Sequence, residues 1–371
     1  MAGRSEYFSS LKTCSDRDRM ATRDAAFGRL ARSIGTLALA LMTIMVSGPV
    51  SATQDSAVVL MYHRFGDSRH PSTNIRLEQF EEHVSELRTG GYTVVPLPQI
   101  VSALRDRTPL PEKAIGITVD DAYLSVYQQA WPRFRAAGFP FTVFVATDAV
   151  DKAAARRSED YMNWDQLREL VESGVTIGSQ TASHLHMPKA SPARNKNDLD
   201  RSNARFEEEL GFRPTLFAYP YGEASLAVSR VVSQSGFGAA FGQHSGAIGQ
   251  GQNLFYLPRF ALNEAYGDLD RLRLVANTLP LKVEEVTPED HLITQNNPPA
   301  IGFTVVGDVK GLDRLNCFIS PERALVERLG DKRFEIRVER PFAAGRIRLN
   351  CTAPGENGRW HWYGRQFIVI N

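Results

Sequence analysis

Short apolar runs alternate with amphipathic stretches along residues 58–280 of this sequence. The apolar runs have the composition of buried strands and read AVVLMYH, AIGITVD, FTVFVAT, VTIGSQ, TLFAYP and GAAFG. The stretches between them have helical spacing, as in RLEQFEEHVSELRTGGY, whose apolar positions are Leu77, Phe80, Val84 and Leu87. Regular strand–helix alternation predicts a parallel sheet, and six or more units predict an α/β fold with a closed or nearly closed (β/α) barrel.

The pattern changes after residue 281, where KVEEVTPEDHLITQNNPPA is polar and rich in proline, which is typical of a linker or an edge segment. Short alternating runs follow, separated by Gly, Asp and Pro: IGFTVV, RLNCFIS, FEIRVE, GRIRLNC and QFIVIN. Runs of this kind without a helix predict a small all-β sandwich. We therefore divide the chain into a barrel over 53–282, a linker over 283–298 and a β-sandwich domain over 299–371.

The first 52 residues have the pattern of a targeting segment. Basic residues precede an apolar run of 13 residues from Ile34 to Val46, and small residues lead to Ala52. This order predicts a signal peptide over 1–52 and export to the periplasm or the extracellular space. The apolar run is shorter than the roughly 20 residues that span a bilayer. Membrane association is therefore expected only if this segment stays uncleaved as an anchor.

The composition is that of an ordinary globular protein with a sizeable core, with 371 residues, 43% hydrophobic and 23% charged. The net charge of +1 lacks the basic excess typical of nucleic-acid-binding proteins, so no such partner is expected. Cys317 and Cys351 are the cysteines beyond the predicted signal. In an oxidising compartment we expect either a disulfide or two buried thiols, since sequence does not reveal the distance between them.

Side chains that can bind metal or carry protons follow most of the predicted strands. In α/β folds the sites gather at the carboxyl ends of parallel strands, and this sequence places there His63, Asp120, Asp121, Gln180, His184, His186, His244 and Arg259. A single histidine there is usually a hydrogen-bonded structural residue, and paired aspartates often cap a helix. The joint occurrence of these residues at one rim instead predicts a functional site.

The adjacent pair Asp120-Asp121 suits two tasks, because neighbouring side chains on a strand point in different directions. One carboxylate can bind a metal, while the other faces a water on that metal and acts as general base. Histidine and carboxylate ligands suit Zn²⁺ and other first-row divalent ions. The strand ends therefore predict a divalent metal site.

Four motifs resemble those of the polysaccharide deacetylases, the NodB-homology family of metal-dependent amidohydrolases. TVDD (118–121) resembles the family's TFDD signature, GSQTASH (178–184) its second motif His-[Ser/Thr]-x-x-His, and FAYPYGE (217–223) its third. MYHRF (61–65) and the segments after it resemble the opening of the exopolysaccharide branch, which includes the poly-N-acetylglucosamine deacetylases. The match over residues 58–280 implies the family's irregular (β/α) barrel and leaves the C-terminal β region outside the resemblance.

The resemblance also implies a role for several of these residues. Asp120 corresponds to the family's general base, and Asp121 and His184 correspond to metal ligands, with zinc as the expected ion. The first histidine of the second motif falls on Gln180, and Thr181 matches the position after it, so the register is hard to shift.

Three interpretations of Gln180 stay open. Its amide oxygen, a weaker zinc ligand than imidazole, binds the metal directly or through a water. Alternatively, His186 turns inward and supplies the third ligand. In the third interpretation the metal site is degenerate and the domain binds sugar without cleaving it. The intact aspartate pair favours a site that has kept its catalysis.

Amide hydrolysis also needs an acid for the leaving amine and a stabiliser for the oxyanion. The candidate acids are His63, at a place implicated in the exopolysaccharide branch, and His244, after the last barrel strand. The family's late Leu-x-x-His motif is not visible. Arg259 is expected to pair with Asp120, a role the family gives to an arginine, unless it forms an ordinary surface salt bridge. The resemblance implies a backbone N–H near Tyr219 for the oxyanion and a substrate site lined by Tyr219, Pro220, Tyr221 and Gly222.

The sequence therefore predicts an exported, metal-dependent hydrolase that removes N-acetyl groups from an amino-sugar polysaccharide. One alternative is a non-catalytic polysaccharide-binding relative with a degenerate metal site. Another is a hydrolase of a different non-peptide carbon–nitrogen bond.

Overall fold

The computed structural model describes residues 53–156, 160–320 and 324–370. Its described residues up to 280 form a curled parallel sheet with helices around it. The signal peptide predicted over 1–52 lies outside the described residues. The strands of this part are β1 Thr53–Gln54, β2 Ser56–Tyr62, β3 Arg64–Phe65, β4 Asn74–Ile75, β5 Thr93–Val94, β6 Leu110–Pro111, β7 Ala114–Asp120, β8 Thr142–Val145, β9 Thr176–Ser179, β10 Leu216–Ala218, β11 Ala239–Phe241, β12 Ile248–Gly249, β13 Phe260–Ala261 and β14 Leu279–Pro280. The α-helices are α1 Leu77–Thr89, α2 Leu97–Asp106, α3 Trp131–Ala137, α4 Thr147–Arg156, α5 Trp164–Glu172, α6 Pro192–Leu210, α7 Leu226–Ser233 and α8 Leu269–Ala276.

The main sheet has the strand order β11-β10-β9-β8-β7-β2-β12, with β5 beside β7 and β13 beside β2. β12 is antiparallel to β2, and the other neighbours are parallel. β11 and β12 are the two ends of this order. Among the described strands, the sheet therefore curls without closing into a ring, which confirms the predicted irregular (β/α) barrel.

The central strands are buried on both faces. Every residue of β2 and β7 is buried. Along β2, Val58, Leu60 and Tyr62 belong to one apolar core, while Ala57 and Val59 belong to a second core. Because successive side chains of a strand point to opposite faces, both faces need apolar residues. This double burial explains why the strands read as nearly continuous apolar runs.

The structure adds three helices that the apolar pattern does not predict, α2, α4 and α8. Pro96 precedes α2 and Pro98 lies in its first turn, where a missing N–H leaves no intrahelical hydrogen bond unmade. The two prolines of VVPLPQ therefore mark the start of a helix. None of the helices in the described part of the chain has the length and apolar character that a membrane span requires.

The described residues between 281 and 370, together with β14, form two β-sheets that share an apolar core. Their strands are β15 Val283–Thr287, β16 Leu292–Ile293, β17 Ile301–Val305, β18 Asn316–Ser320, β19 Leu325–Leu329, β20 Arg333–Arg337, β21 Gly345–Pro354 and β22 Trp360–Val369. One sheet has the order β14-β22-β21-β18 with β16 beside β22, and the other has the order β15-β17-β20-β19. Phe303 and Phe334 of one sheet lie in the same core as Leu349 and Phe367 of the other. The arrangement is sandwich-like, as the sequence predicts.

Two sequence expectations for this β region can be decided. The segment 283–298 is not a free linker, because β15 pairs with β17 and β16 pairs with β22. Its polar, proline-rich sequence fits an edge strand, which presents one side without a partner. Cys317 and Cys351 face each other on β18 and β21 and form a disulfide.

The β region packs against the barrel, and the two form one compact unit. β14 pairs with β22, and the rings of Trp362 and Phe260 meet edge to face with centroids 5.2 Å apart. A Cβ atom on Gly364 would lie 1.9 Å from the backbone oxygen of Ser245. Only glycine therefore allows β22 to approach the barrel this closely.

Gly364→Ala is expected to destabilise the protein, because the added methyl group meets a backbone oxygen that no side-chain movement can relieve. Overpacking of this kind lowers the free energy of unfolding by about 1–3 kcal/mol, measured by urea unfolding. Gly238→Ala is the matched control, since the nearest contact of a Cβ there would be the Thr215 oxygen at 3.7 Å. Equal unfolding midpoints for the two variants would contradict the close approach of the β region.

Candidate active site

The carboxyl ends of β7, β8 and β9 lie side by side at one rim of the sheet. Just past β7, the N–H of Asp121 donates to the Phe144 oxygen at 3.0 Å, and just past β9, the N–H of Gln180 donates to the Val145 oxygen at 2.9 Å. Asp121 and Gln180 therefore flank the end of β8 on its two sides. The sheet brings the first two sequence motifs to one place.

Several residues at this rim have a left-handed backbone, which L-amino acids rarely adopt. Their φ values are 75° for Asp121, 66° for Thr181, 53° for His184 and 60° for Tyr221. This conformation costs a non-glycine residue about 1–2 kcal/mol, and such strain gathers at functional sites. All four residues belong to motifs singled out in the sequence, so the strained backbone at this rim coincides with the residues expected to form the active site.

Asp120 forms a buried ion pair with Arg259. Both side chains are completely inaccessible to solvent, and the two Arg259 Nη atoms donate to the two Asp120 carboxylate oxygens at 2.7 and 2.9 Å. Arg259 also donates through Nε to the Gly242 oxygen at 2.9 Å and through Nη1 to Thr118 Oγ1 at 3.1 Å. Gln243 Nε2 lies 3.4 Å from Asp120 Oδ2. The structure thus places Arg259 in a bidentate buried pair and not in a surface salt bridge.

Asp121 and His184 direct a carboxylate and an imidazole at each other. Asp121 Oδ1 lies 3.2 Å from His184 Nε2, and both atoms are buried without a well-directed hydrogen bond. Burial by itself raises the pKa of Asp121, but the contact with His184, the electrostatic influence of the His63 and His184 side chains, and the Tyr123 hydroxyl lower it to about 2. The carboxylate is therefore anionic near neutral pH, as a metal ligand must be.

Gln180 is the third candidate donor at this place. Its side chain is buried, and neither its Oε1 nor its Nε2 atom has a hydrogen-bond partner. A buried amide without a partner costs about 1–3 kcal/mol, so a bound ion or water that contacts Oε1 would be stabilising. Within residues 53–156, 160–320 and 324–370, no three His, Cys, Asp or Glu side chains form a metal-binding group. The residues present fit a divalent ion held by two strong ligands and one neutral amide oxygen.

His186 is occupied elsewhere. Its Nδ1 atom lies 2.7 Å from Glu223 Oε2, and its ring stacks on Tyr221 with the centroids 4.1 Å apart. The sequence leaves Gln180 and His186 as alternative third ligands. The contacts of His186 favour Gln180.

His63 lies beside the candidate base. It follows β2, which is the neighbour of β7 in the sheet, and its Nε2 atom is 3.9 Å from Asp120 Oδ2. Its side chain is 14% exposed, so a ligand at the rim can reach it.

His244 has a different environment, and the structure does not support the expectation that it acts as the acid. Its ring is buried and stacks on Tyr256 with the centroids 4.3 Å apart. Burial, together with the positive charges of Arg365 and Arg259, lowers the pKa of His244 to about 3. The neutral imidazole that results at pH 7 is a poor proton donor. Successive side chains after β11 point in different directions, so the amide of Gln243 contacts Asp120 and the ring of His244 does not.

The turn after β10 contributes only part of its motif to the site. Tyr219 is a buried core residue, and its N–H donates to the Phe241 oxygen at 3.0 Å. It is therefore unavailable to a substrate, contrary to the expectation from the sequence. Tyr221 lies in the tight turn Pro220–Gly222, and its ring meets the ring of His184 edge-on with the centroids 4.5 Å apart.

An aromatic pair near Asp121 is not singled out by the sequence pattern. The rings of Tyr123 and Tyr161 stack with their centroids 4.9 Å apart, and the two residues form a β-bridge. The guanidinium carbon of Arg64 lies 3.5 Å from the centroid of the Tyr123 ring. Tyr123 lies two residues after the aspartate pair, and this proximity in sequence is the one signal that could have indicated its place at the site.

Comparison with known protein families adds to this geometry. Residues 107–240 match the family profile described as polysaccharide deacetylase. Over these residues the chain is similar to the polysaccharide deacetylase family. The matched segment contains Asp120, Asp121, Gln180 and His184 but not the β region at residues 281–370.

Individual relatives match parts of this chain. YxkH of Bacillus subtilis (strain 168) is 25% identical over 202 residues, which are 54% of this chain and 69% of YxkH. The poly-beta-1,6-N-acetyl-D-glucosamine N-deacetylase of Escherichia coli (strain K12) is 26% identical over 223 residues, with 50% of this chain and 33% of that protein covered. The structure of IcaB from Ammonifex degensii is similar with a TM-score of 0.52 and 29% identity, over 60% of this chain and 96% of that chain. This chain thus spans about two thirds of the Bacillus relative and one third of the Escherichia relative.

Gln180→His is expected to raise the zinc affinity of this protein, because imidazole binds zinc more strongly than an amide oxygen does. The expected increase is about tenfold or more, since even residues that only orient metal ligands change affinity about 10- to 100-fold. His184→Ala is expected to abolish binding. Calorimetric titration of chelator-treated protein with zinc measures the zinc affinity of the wild type and of each variant.

His186→Ala is the control for this prediction, because it removes a neighbouring imidazole that contacts Glu223. Its zinc affinity should stay close to that of the wild type. Loss of zinc binding in His186→Ala, together with an unchanged affinity in Gln180→His, would instead identify His186 as the ligand.

Proposed function

We propose that this chain is an exported, metal-dependent hydrolase that removes N-acetyl groups from a polysaccharide of amino sugars. The observation that carries the proposal is the buried Asp120–Arg259 pair, which stands next in sequence to the pair Asp121 and His184. A non-catalytic sugar-binding domain has no need of a fixed carboxylate beside a candidate metal site.

The proposed reaction hydrolyses an amide. Asp121, His184 and Gln180 would hold a divalent ion, which would supply Lewis-acid chemistry to the reaction. Asp120 takes a proton from the water as its oxygen bonds to the acetyl carbon. His63 gives a proton to the nitrogen as the carbon–nitrogen bond breaks, which releases acetate and a free amine. Arg259 holds the carboxylate of Asp120 in one orientation throughout.

The turn after β10 limits the choice of oxyanion donor. Pro220 has no N–H, the N–H of Tyr219 donates to Phe241, and the N–H of Gly222 donates to the Tyr219 oxygen at 2.8 Å. The N–H of Tyr221 is the remaining candidate in this turn for a developing negative charge.

The substrate and the compartment are proposed on separate grounds. Relatives in Escherichia coli (strain K12) and Staphylococcus aureus (strain MSSA476) are named poly-beta-1,6-N-acetyl-D-glucosamine N-deacetylases, which supports an N-acetylated amino-sugar polymer. Export is supported by the targeting pattern over 1–52. The disulfide between Cys317 and Cys351 also supports it, because such bonds persist in oxidising compartments.

Asp120→Asn is expected to remove most of the activity, because an amide cannot accept the proton from water. Loss of a general base lowers kcat by about 10²- to 10⁴-fold. Acetate release from an N-acetylglucosamine oligomer by the zinc-loaded variant is the measurement.

Asp106→Asn, a substitution of the same kind on the exposed end of α2, is the control and should have wild-type kcat. Wild-type turnover in Asp120→Asn would remove Asp120 from the reaction. Wild-type protein that binds the oligomer but releases no acetate would favour the non-catalytic alternative. The argument for that alternative is that Gln180 stands where the family motif has a histidine.

His63→Gln is expected to lower kcat by about 10²-fold or more, because the leaving amine loses its proton donor. His70→Gln, on the same segment but exposed, is the matched control and should leave kcat unchanged. Activity toward an acetyl ester with a good leaving group should suffer less in His63→Gln, since such a group needs no proton. An equal loss toward ester and amide would mean that His63 acts in another way.

A further inference from the structure

The strand β21 places two arginines beside the rim of the candidate active site. Arg346 and Arg348 are two residues apart on this strand, so their side chains leave the same face. The guanidinium carbon of Arg346 lies 5.7 Å from the centroid of the Tyr221 ring. Tyr221 meets His184 edge-on, and the buried Gln366 donates to its backbone oxygen at 3.1 Å. The β region therefore brings positive charge within reach of a polymer that is bound at His184.

Most donor groups of Arg346 are unused. Its Nη1 atom lies 3.5 Å from the Tyr221 oxygen, which is the limit of a hydrogen bond, and its Nε atom lies 4.0 Å from Glu223 Oε1. Its side chain is 42% exposed. Since a guanidinium has five N–H donors, most of them remain available to a ligand at the rim.

The positive charge at this place is not balanced. Glu223 is the carboxylate near Arg346, and its other oxygen is engaged by His186 at 2.7 Å. Among the described residues, Arg348 has no carboxylate within 4.0 Å, and its Nε donates to Gln366 Oε1 at 3.4 Å. Partial burial and the like charge of Arg346 lower the pKa of Arg348. Two neighbouring cations, of which only Arg346 has a carboxylate nearby and that one is already engaged, favour an anionic ligand.

We propose that Arg346, with Arg348 beside it, selects polysaccharides that carry a carboxylate on the sugar next to the N-acetylated one at the site. This inference rests on the proposed function and names the chemistry of its substrate. A guanidinium binds a carboxylate through two parallel hydrogen bonds, which gives orientation as well as affinity. The same charge disfavours free amines on neighbouring sugars, so a fully deacetylated stretch binds less well than an untouched one.

Two tetrasaccharides test this inference by calorimetric titration. One contains only N-acetylglucosamine, and the other alternates N-acetylglucosamine with glucuronic acid. The full-length protein is treated with chelator so that no acetyl group is removed during the titration. The wild type is expected to bind the carboxylated tetramer about tenfold more tightly, and Arg346→Gln to lose this preference while its affinity for the neutral tetramer stays unchanged. Added salt should weaken the same preference, because it screens exposed charges.

Arg340→Gln is the matched control, since Arg340 is an exposed arginine of the same β region and should leave the preference intact. Equal binding of both tetramers by the wild type would overturn the inference. A preference that survives in the double variant Arg346→Gln/Arg348→Gln would also overturn it. Failure of the proposed function shows separately, as an absence of acetate release from the neutral tetramer by zinc-loaded wild type.

Discussion

The ion pair between Asp120 and Arg259 is the interaction on which the geometry of the site depends. Two fully buried charges carry a desolvation penalty that their attraction offsets only when the geometry is good and the remaining donors are satisfied. Here the pair is bidentate, and Arg259 has two further acceptors in Gly242 and Thr118. Removal of one partner from such a pair typically costs about 3–5 kcal/mol. The pair therefore ties the end of β7 to the turn after β11 and to the segment before β13.

The fixed orientation of Asp120 has a consequence for Asp121. Since Asp120 points into the buried pair, Asp121 has to leave the strand in another direction to meet His184, and its φ of 75° provides this direction. His184 has a left-handed backbone as well, and Gln180 adds a buried amide without partners. Together these unfavourable features cost a few kcal/mol. Such a concentration of unfavourable features is typical of a binding site in which the bound ligand offsets the strain.

The barrel strands could be predicted from the sequence because strands buried on both faces are extreme in composition. β2 and β7 are the clearest examples. The helix α2 escaped prediction because proline in a first turn resembles proline in a loop. The strands within 283–298 were not predicted, because an edge strand with polar side chains resembles a linker in sequence.

The candidate site shows the same limit at the level of single residues. The motifs indicate Asp120, Asp121 and His184 because these residues are close in sequence to recognisable patterns. By contrast, the choice between Gln243 and His244 depends on which face of the chain turns inward after β11, and chemistry alone favours histidine. The contact between His186 and Glu223 joins residues 37 positions apart, so no local pattern could reveal that His186 is engaged.

The β region changes how the third motif should be understood. Sequence divides the chain into a barrel that carries the chemistry and a sandwich that follows it. In the structure, the backbone oxygen of Tyr221 accepts a hydrogen bond from Gln366 on β22, and the Tyr221 ring touches His184. The left-handed backbone of Tyr221 is strained and needs surrounding contacts to hold it. One of these contacts comes from β22, so the β region helps to hold the turn whose Tyr221 ring packs against the candidate metal ligand His184.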